Sequence, residues 1–230
     1  MTSLIRRIKT PALLAAAGAV VIAAGVLTSG EPVRAGESVI IPAPAVDETA
    51  PAGMETAIFA GGCFWGVQGV FQHVEGVSQA VSGYAGGTVE NPTYQQVSHE
   101  KTGHYEAVKV TYDPDKVSYD ALVDYFFHHI DPTDAKGQFC DKGDSYRSAV
   151  FVANAEQREV AEAEVDMINA SGVLAAPVVT KILEASTFWP AEDYHQDYYK
   201  KNPLKYRYYR TACGRDARVK KVWADASTGH

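Results

Sequence analysis

Cysteine is scarce in this chain, with 3 residues in 230. So small and odd a set excludes a framework in which every sulfur is paired, and it leaves at least one thiol free or exchanging. No CxxC or HxxxH spacing occurs, so the common zinc patterns are absent. The adjacent His128 and His129 would point about 100° apart on a helix and share an ion poorly. The acidic stretch GQFCDKGDSY lacks the spacing and closing glutamate of a calcium loop. Neither a metal nor another cofactor is expected. Positive charge is also short. The net charge is −7, and it becomes −10 once residues 1–35, with four basic residues and one acid, are set apart. Such an acidic body argues against a nucleic-acid partner held through phosphates. There is no internal repeat, and the only biased segment is a Pro/Ala linker.

Long apolar runs are missing too, except for one. Arg6, Arg7 and Lys9 precede an uncharged stretch whose apolar part runs from Ala12 to Leu27. A basic flank before such a run predicts a signal peptide or an N-terminal membrane anchor over residues 1–35, with residues 12–30 as the anchoring stretch. The run is shorter than the ~20 residues of a comfortable span. No cysteine follows it, which argues against a lipid-modified N-terminus. Residues 36–54 read as a semi-extended linker, and 55–225 as the folded domain. The chain is expected to be exported, either periplasmic or membrane-anchored and facing outside the cytoplasm, and to act as a monomer.

Within the body, 54–61 reads as a short strand and 63–74 as a helix weakened by glycines. Residues 77–87 read as a strand entering a glycine-rich loop, and 105–114 as an alternating strand. Residues 118–130 read as a helix with Ser118 as N-cap. Strands at 146–153 and 177–185 flank a helix at 155–172 that stops at glycine. Residues 190–202 read as a helix with Pro190 in its first turn. The order predicts an α+β fold: a ferredoxin-like two-layer plait with a βαββαβ core, an added helix-strand and a Tyr-rich C-terminal extension.

The stretch IFAGGCFWGVQG places Cys63 where a strand turns into a helix. A helix N-terminus favours the thiolate, so a depressed pKa and an active nucleophile are expected. Gly61 and Gly62 permit a tight turn, and Phe64 and Trp65 form an apolar wall beside the sulfur. A nucleophilic thiol that releases an oxygen or nitrogen needs an acid. Alternation puts Glu106 on the same strand face as Val108 and Val110, so it is expected to be buried, with a raised pKa. The chain order Cys63, His195, Asp197 also admits a cysteine hydrolase, although no oxyanion side chain precedes Cys63. A redox switch without turnover is the third possibility.

Six motifs occur in order: GCFWG at 62–66, GYAGG at 83–87, NPTY at 91–94, TGHYEAV at 102–108, DKGDSYRS at 141–148 and PAEDYHQDYY at 190–199. Together they resemble the A-type peptide-methionine (S)-S-oxide reductases over nearly the whole body. The resemblance implies a Cys63 thiolate that attacks the sulfoxide sulfur and Glu106 as proton donor to the oxygen. It implies Tyr94 and Tyr146 as hydrogen-bond donors to that oxygen and Asp141 as the ordering carboxylate. Phe64 and Trp65 would hold the substrate methyl, with His195 and Tyr198 in support. It further implies a sulfenic acid on Cys63, a disulfide with a resolving cysteine, and recycling by a thioredoxin-like reductant, with oxidised proteins or peptides as substrates. The chain departs from the pattern in two places. Cys140 stands before Asp141 where asparagine is usual, and the tail around Cys213 lacks the usual glycines. Cys213 matches the resolving position best by place, with Cys140 second. His104 belongs to a motif without an assigned chemistry. The tyrosines of DYYKKNPLKYRYYRT other than Tyr198 read as packing and surface.

Overall fold

A computed structural model describes residues 50–99 and 101–223. The expected signal or anchor over 1–35, with its stretch 12–30, and the linker up to residue 49 lie outside the described residues. Among the described residues no helix is long and apolar enough to cross a membrane.

In chain order the elements begin β1 (Glu55–Gly61), α1 (Phe64–Phe71), β2 (Val77–Ala85), α2 (Tyr94–His99), β3 (Tyr105–Tyr112) and α3 (Tyr119–Phe127). A small hairpin follows, β4 (Gly137–Gln138) and β5 (Asp141–Lys142), with a 3-10 turn at Asp144–Tyr146. Then come β6 (Ser148–Val152), α4 (Ala155–Ser171), β7 (Lys181–Glu184) and β8 (Trp189–Pro190). The tail holds α5 (Tyr198–Lys201), α6 (Pro203–Ala212) and α7 (Arg215–Val222).

Six strands form one sheet in the order β7-β6-β1-β3-β2-β8. Only β6 and β7 are parallel, joined by the α4 crossover. The fold is therefore mixed α+β, as expected. Alternation sorts the faces. Phe59, Val108, Val110 and Val150 point at α1, α3 and α4. Tyr105, Phe151 and Phe188 make a second apolar cluster on the other face. The helix ends follow the sequence signals. Ser118 Oγ accepts from the Ala121 N–H at 3.1 Å, Asn154 Oδ1 from the Gln157 N–H at 2.9 Å, and Gly172 is left-handed.

Pro190 corrects the sequence reading. It pairs with Gly83 in an edge strand, where its missing N–H costs no ladder bond. Glu192, two residues on, accepts from Tyr84 Oη at 2.8 Å and the Tyr94 N–H at 2.9 Å. Beyond the two residues of β8, the edge of β2 is closed by side chains. Gln196 accepts from the Ser82 N–H at 2.9 Å and donates to the Ser82 carbonyl at 2.8 Å, and Gln68 donates to the Ala80 carbonyl at 3.0 Å. The end of the tail is docked by Arg218 on Asp131 at 2.6 Å and by Trp223 Nε1 on the Ile130 carbonyl at 3.2 Å.

Candidate active site

The β1–α1 turn brings the site together. Gly62 has φ +81°, and a Cβ there would stand 2.5 Å from the Cβ of Gln138, so only glycine lets β4 approach. Gln138 is clamped by the backbone of Asp131, donating at 2.7 Å and accepting at 2.8 Å. The β4–β5 hairpin thereby carries Cys140 and Asp141 to the Cys63 turn. Cys63 is the N-cap residue of α1, buried, with its thiol free.

Glu106 is 2 % exposed on the helix-facing side of β3, as alternation predicts. Burial pushes its pKa up to about 8; the Phe64 N–H, 2.9 Å from Oε2, opposes the shift, and the nearby Asp141 charge adds to it. Glu106 therefore keeps its proton at neutral pH.

The Cys63 thiol departs from expectation. Its pKa is raised, not depressed: burial acts first, and the Glu106 and Asp141 charges add to it, against the Tyr209 hydroxyl and the Trp65 N–H. The first free N–H of the helix is spent on Glu106, so the helix end favours the sulfur less than its position suggests. Protonation of Glu106 removes the largest charge that opposes the thiolate.

Tyr94 and Tyr146 are half-buried; their hydroxyls lie near each other and face Glu106 and Cys63. Trp65 stacks on Tyr198 with centroids 3.7 Å apart, and its Nε1 donates to His195 Nδ1 at 3.0 Å. That bond fixes the neutral tautomer with the proton on Nε2, and burial holds the His195 pKa below its ordinary value. His195 packs on Phe64 at 5.0 Å and Tyr94 at 4.5 Å. Cys63, His195 and Asp197 form no hydrogen-bonded chain, because Asp197 accepts from Gln72. This is not hydrolase geometry. His104 is structural: its ring holds the Val89 carbonyl at 2.7 Å and the Gly87 N–H at 3.2 Å.

Cys140 and Cys213 form a disulfide, so the sulfur pair present is not the expected Cys63–Cys213 link. Cys140 Sγ lies 3.7 Å and Cys213 Sγ 4.0 Å from the Asp141 carboxylate. Tyr209 donates to the same carboxylate, stands edge-on to Trp65, and lies beside the Cys63 sulfur. Sequence reasoning missed this residue among the many tail tyrosines. Its signal was its place four residues before Cys213, one helical turn away on the same face. Replacing Tyr209 with phenylalanine leaves the Asp141 charge without its donor, so that charge opposes the Cys63 thiolate more strongly, and alkylation of Cys63 is expected to slow by up to about tenfold at neutral pH. Iodoacetamide kinetics on the folded variant check this.

Comparison with known proteins follows the same lines. The family described as Peptide methionine sulfoxide reductase matches residues 55–227. The "Peptide methionine sulfoxide reductase MsrA/MsrB" of Vibrio cholerae is 49% identical over 80% of this chain, and the match spans only 49% of that longer protein. The "Peptide methionine sulfoxide reductase MsrA" of Bacillus subtilis is 50% identical over 74% of this chain and 96% of its own. Among solved structures, "Methionine sulfoxide reductase A of Corynebacterium diphtheriae" superposes with a TM-score of 0.60 at 36% identity, over 67% of this chain and 77% of the other.

Proposed function

The chain belongs to the peptide methionine sulfoxide reductase family, and we propose that it reduces the S epimer of methionine sulfoxide, in oxidised proteins and peptides and as the free amino acid. One observation carries this assignment. The free thiol of Cys63 adjoins a carboxyl, Glu106, that holds its proton at neutral pH. A sulfoxide has a strong acceptor oxygen beside an electrophilic sulfur and a methyl. Glu106, Tyr94 and Tyr146 offer donors to the oxygen, and Phe64 and Trp65 offer an apolar wall to the methyl. The Cys63 thiolate attacks the sulfoxide sulfur while Glu106 gives its proton to the oxygen. The oxygen passes to Cys63 as a sulfenic acid, and methionine leaves. Three fixed contacts around one chiral sulfur admit one epimer.

Cys213 resolves the intermediate: its thiol condenses with the sulfenic acid, water leaves, and a Cys63–Cys213 disulfide forms. Cys140 then attacks the Cys213 sulfur, freeing the Cys63 thiolate and leaving Cys140–Cys213. The bridge in the structure and the exposure of Cys140 support this order. A thioredoxin-like dithiol reduces the outer bridge. Oxidising the Cys140→Ser protein with substrate is expected to accumulate a Cys63–Cys213 peptide link by mass spectrometry. A free Cys213 beside oxidised Cys63 would remove it from the role.

The central strand order β6-β1-β3-β2, antiparallel throughout, supports the ferredoxin-like plait. The basic flank and apolar run support export, with residues 1–35 cleaved or retained as an anchor. Recovery of the native chain wholly in the cytosol with residues 1–35 intact would refute that. The catalytic domain acts as a monomer, which sedimentation checks.

The test of function is turnover of each epimer of a methionine sulfoxide peptide by the full chain with dithiothreitol. The S epimer alone is expected to react. Equal turnover of both, or of neither by a folded protein, would overturn the assignment.

A further inference from the structure

Arg215 is the buried charge that the steps above leave unused. It is 5 % exposed and opens α7. It makes no salt bridge to any carboxylate among the described residues; its neighbours Arg210 and Arg218 hold Asp216 and Asp131 instead. Its own contacts are uncharged. Nη2 donates to the His129 carbonyl at 3.1 Å and Nη1 to the Gly61 carbonyl at 3.4 Å. The guanidinium lies over the Phe139 ring, 4.6 Å from the centroid. On its other side it fills the space a side chain at Gly66 would need, since a Cβ there would stand 2.8 Å from Nη1.

These contacts bracket Cys63. Gly61 ends the strand two residues before it, and the Gly66 N–H donates to the Cys63 carbonyl at 3.1 Å. The guanidinium therefore sits beneath the turn that presents the sulfur. Carbonyls accept from two of its N–H groups but do not neutralise it, and a buried ion without a bonded counter-ion is costly. Arginine does not escape that cost by losing its proton. No carboxylate bonds the guanidinium, and Asp141 acts on it only through space; a Cys63 thiolate brings a further anion to it.

Other groups face the same space. Glu106 from β3 and Asp141 from β5 oppose ionisation of the sulfur, while Tyr209 from α6 favours it. Tyr94 and Tyr146 face the sulfur as neutral hydroxyls. Around Arg215 stand Arg210, Tyr206 and Tyr209 from α6, a neutral His129, and the Asp141 carboxylate of β5, whose pKa the guanidinium pulls down. Among these groups Arg215 is the cation nearest the Cys63 turn that no carboxylate holds.

We propose that Arg215 is a positioning residue whose buried guanidinium supplies the counter-charge that lets Cys63 ionise inside a closed site. The inference rests on Cys63 being the nucleophile. It also links ionisation to the tail, because Arg215 is two residues from Cys213 on a helix that must be docked for the charge to be in place.

The test is the rate of iodoacetamide alkylation against pH, measured on the full chain with the Cys140–Cys213 bridge intact, where Cys63 is the free thiol. Arg215→Met is expected to move the midpoint up by about one pH unit or more, slowing alkylation at neutral pH about tenfold. Arg215→Lys keeps a charge on a shorter stem and is expected to fall between the two. A lysine midpoint equal to that of methionine would assign the effect to packing and overturn the proposal. Gly66→Ala places a methyl 2.8 Å from Nη1, too close to keep, and so displaces the charge without removing it. It should move the midpoint the same way by less, and it decides the matter if Arg215→Met does not fold. An unmoved midpoint in a folded Arg215→Met, or in Gly66→Ala where that variant is the one that decides, overturns the proposal. Alkylation uses no sulfoxide, so a wild-type chain with the expected profile but no turnover would count against the reductase reading alone.

Discussion

Turnover of a methionine sulfoxide peptide by the Cys63→Ser protein is expected to fall on the order of 10⁴-fold or more, to the background of the reductant. A serine hydroxyl is barely ionised at neutral pH and is a poor nucleophile toward sulfur, and it cannot take the oxygen as a sulfenic acid. The fold should survive. Residue 63 is the N-cap of α1 and its sulfur makes no capping bond, while serine is a preferred N-cap. Steady-state turnover and a thermal melt on the same preparation separate the two effects. Activity within about tenfold of wild type in the serine protein would move the nucleophile away from Cys63.

The second large effect belongs to Glu106. Glu106→Gln keeps the shape and a polar head but has no proton to give, and its turnover should drop by about 10²- to 10⁴-fold. The wild-type rate should fall as pH rises through about 8, where Glu106 loses its proton, and the glutamine protein should lack that descending limb. Stability should respond too. Between its ordinary value of 4.5 and about 8, the folded chain holds a proton that the unfolded chain has released. Folding therefore weakens as pH rises across that window, by about 1.4 kcal/mol per pH unit in the limit. Glutamine has no such dependence. At about pH 9 the variant should melt above wild type, and at about pH 5 the gap should close. Melting curves that run parallel at both values would mean that the elevated carboxyl is not Glu106.

The features that were legible in the sequence are those set by short-range rules. Glu106 was placed by alternation with Val108 and Val110, and Ser118 by its position before an apolar helical run. The mixed α+β character followed from periodicity and glycine stops. What stayed hidden depends on distant partners. Pro190 reads as a helix start because Asp and Glu follow it, yet Glu192 is drawn to Tyr84 across 108 residues. Tyr209 meets Asp141 across 68 residues, among tyrosines that look alike. The thiol's raised pKa could not be read from a helix N-terminus alone, because it comes first from burial and then from the charges of Glu106 and Asp141, which distant segments bring to the sulfur. The partnership of Cys140 with Cys213 needed the hairpin that Gly62 admits, and nothing in local composition announces that hairpin.

The side-chain closure of β2 bears on the chain's life at high concentration. An open strand edge is a template on which a second molecule can add its own strand, the first step toward ordered aggregates. Here the amide of Gln196 mimics the missing neighbour, giving Ser82 a donor and an acceptor as a strand would. Gln196 directly follows His195, so one turn both seats the imidazole against Phe64 and denies the edge to other molecules. Any opening of that turn would unseat the site and uncover a self-templating surface together. Opening of that turn is therefore expected to cost activity and to favour self-association together, which light scattering recorded alongside turnover would check.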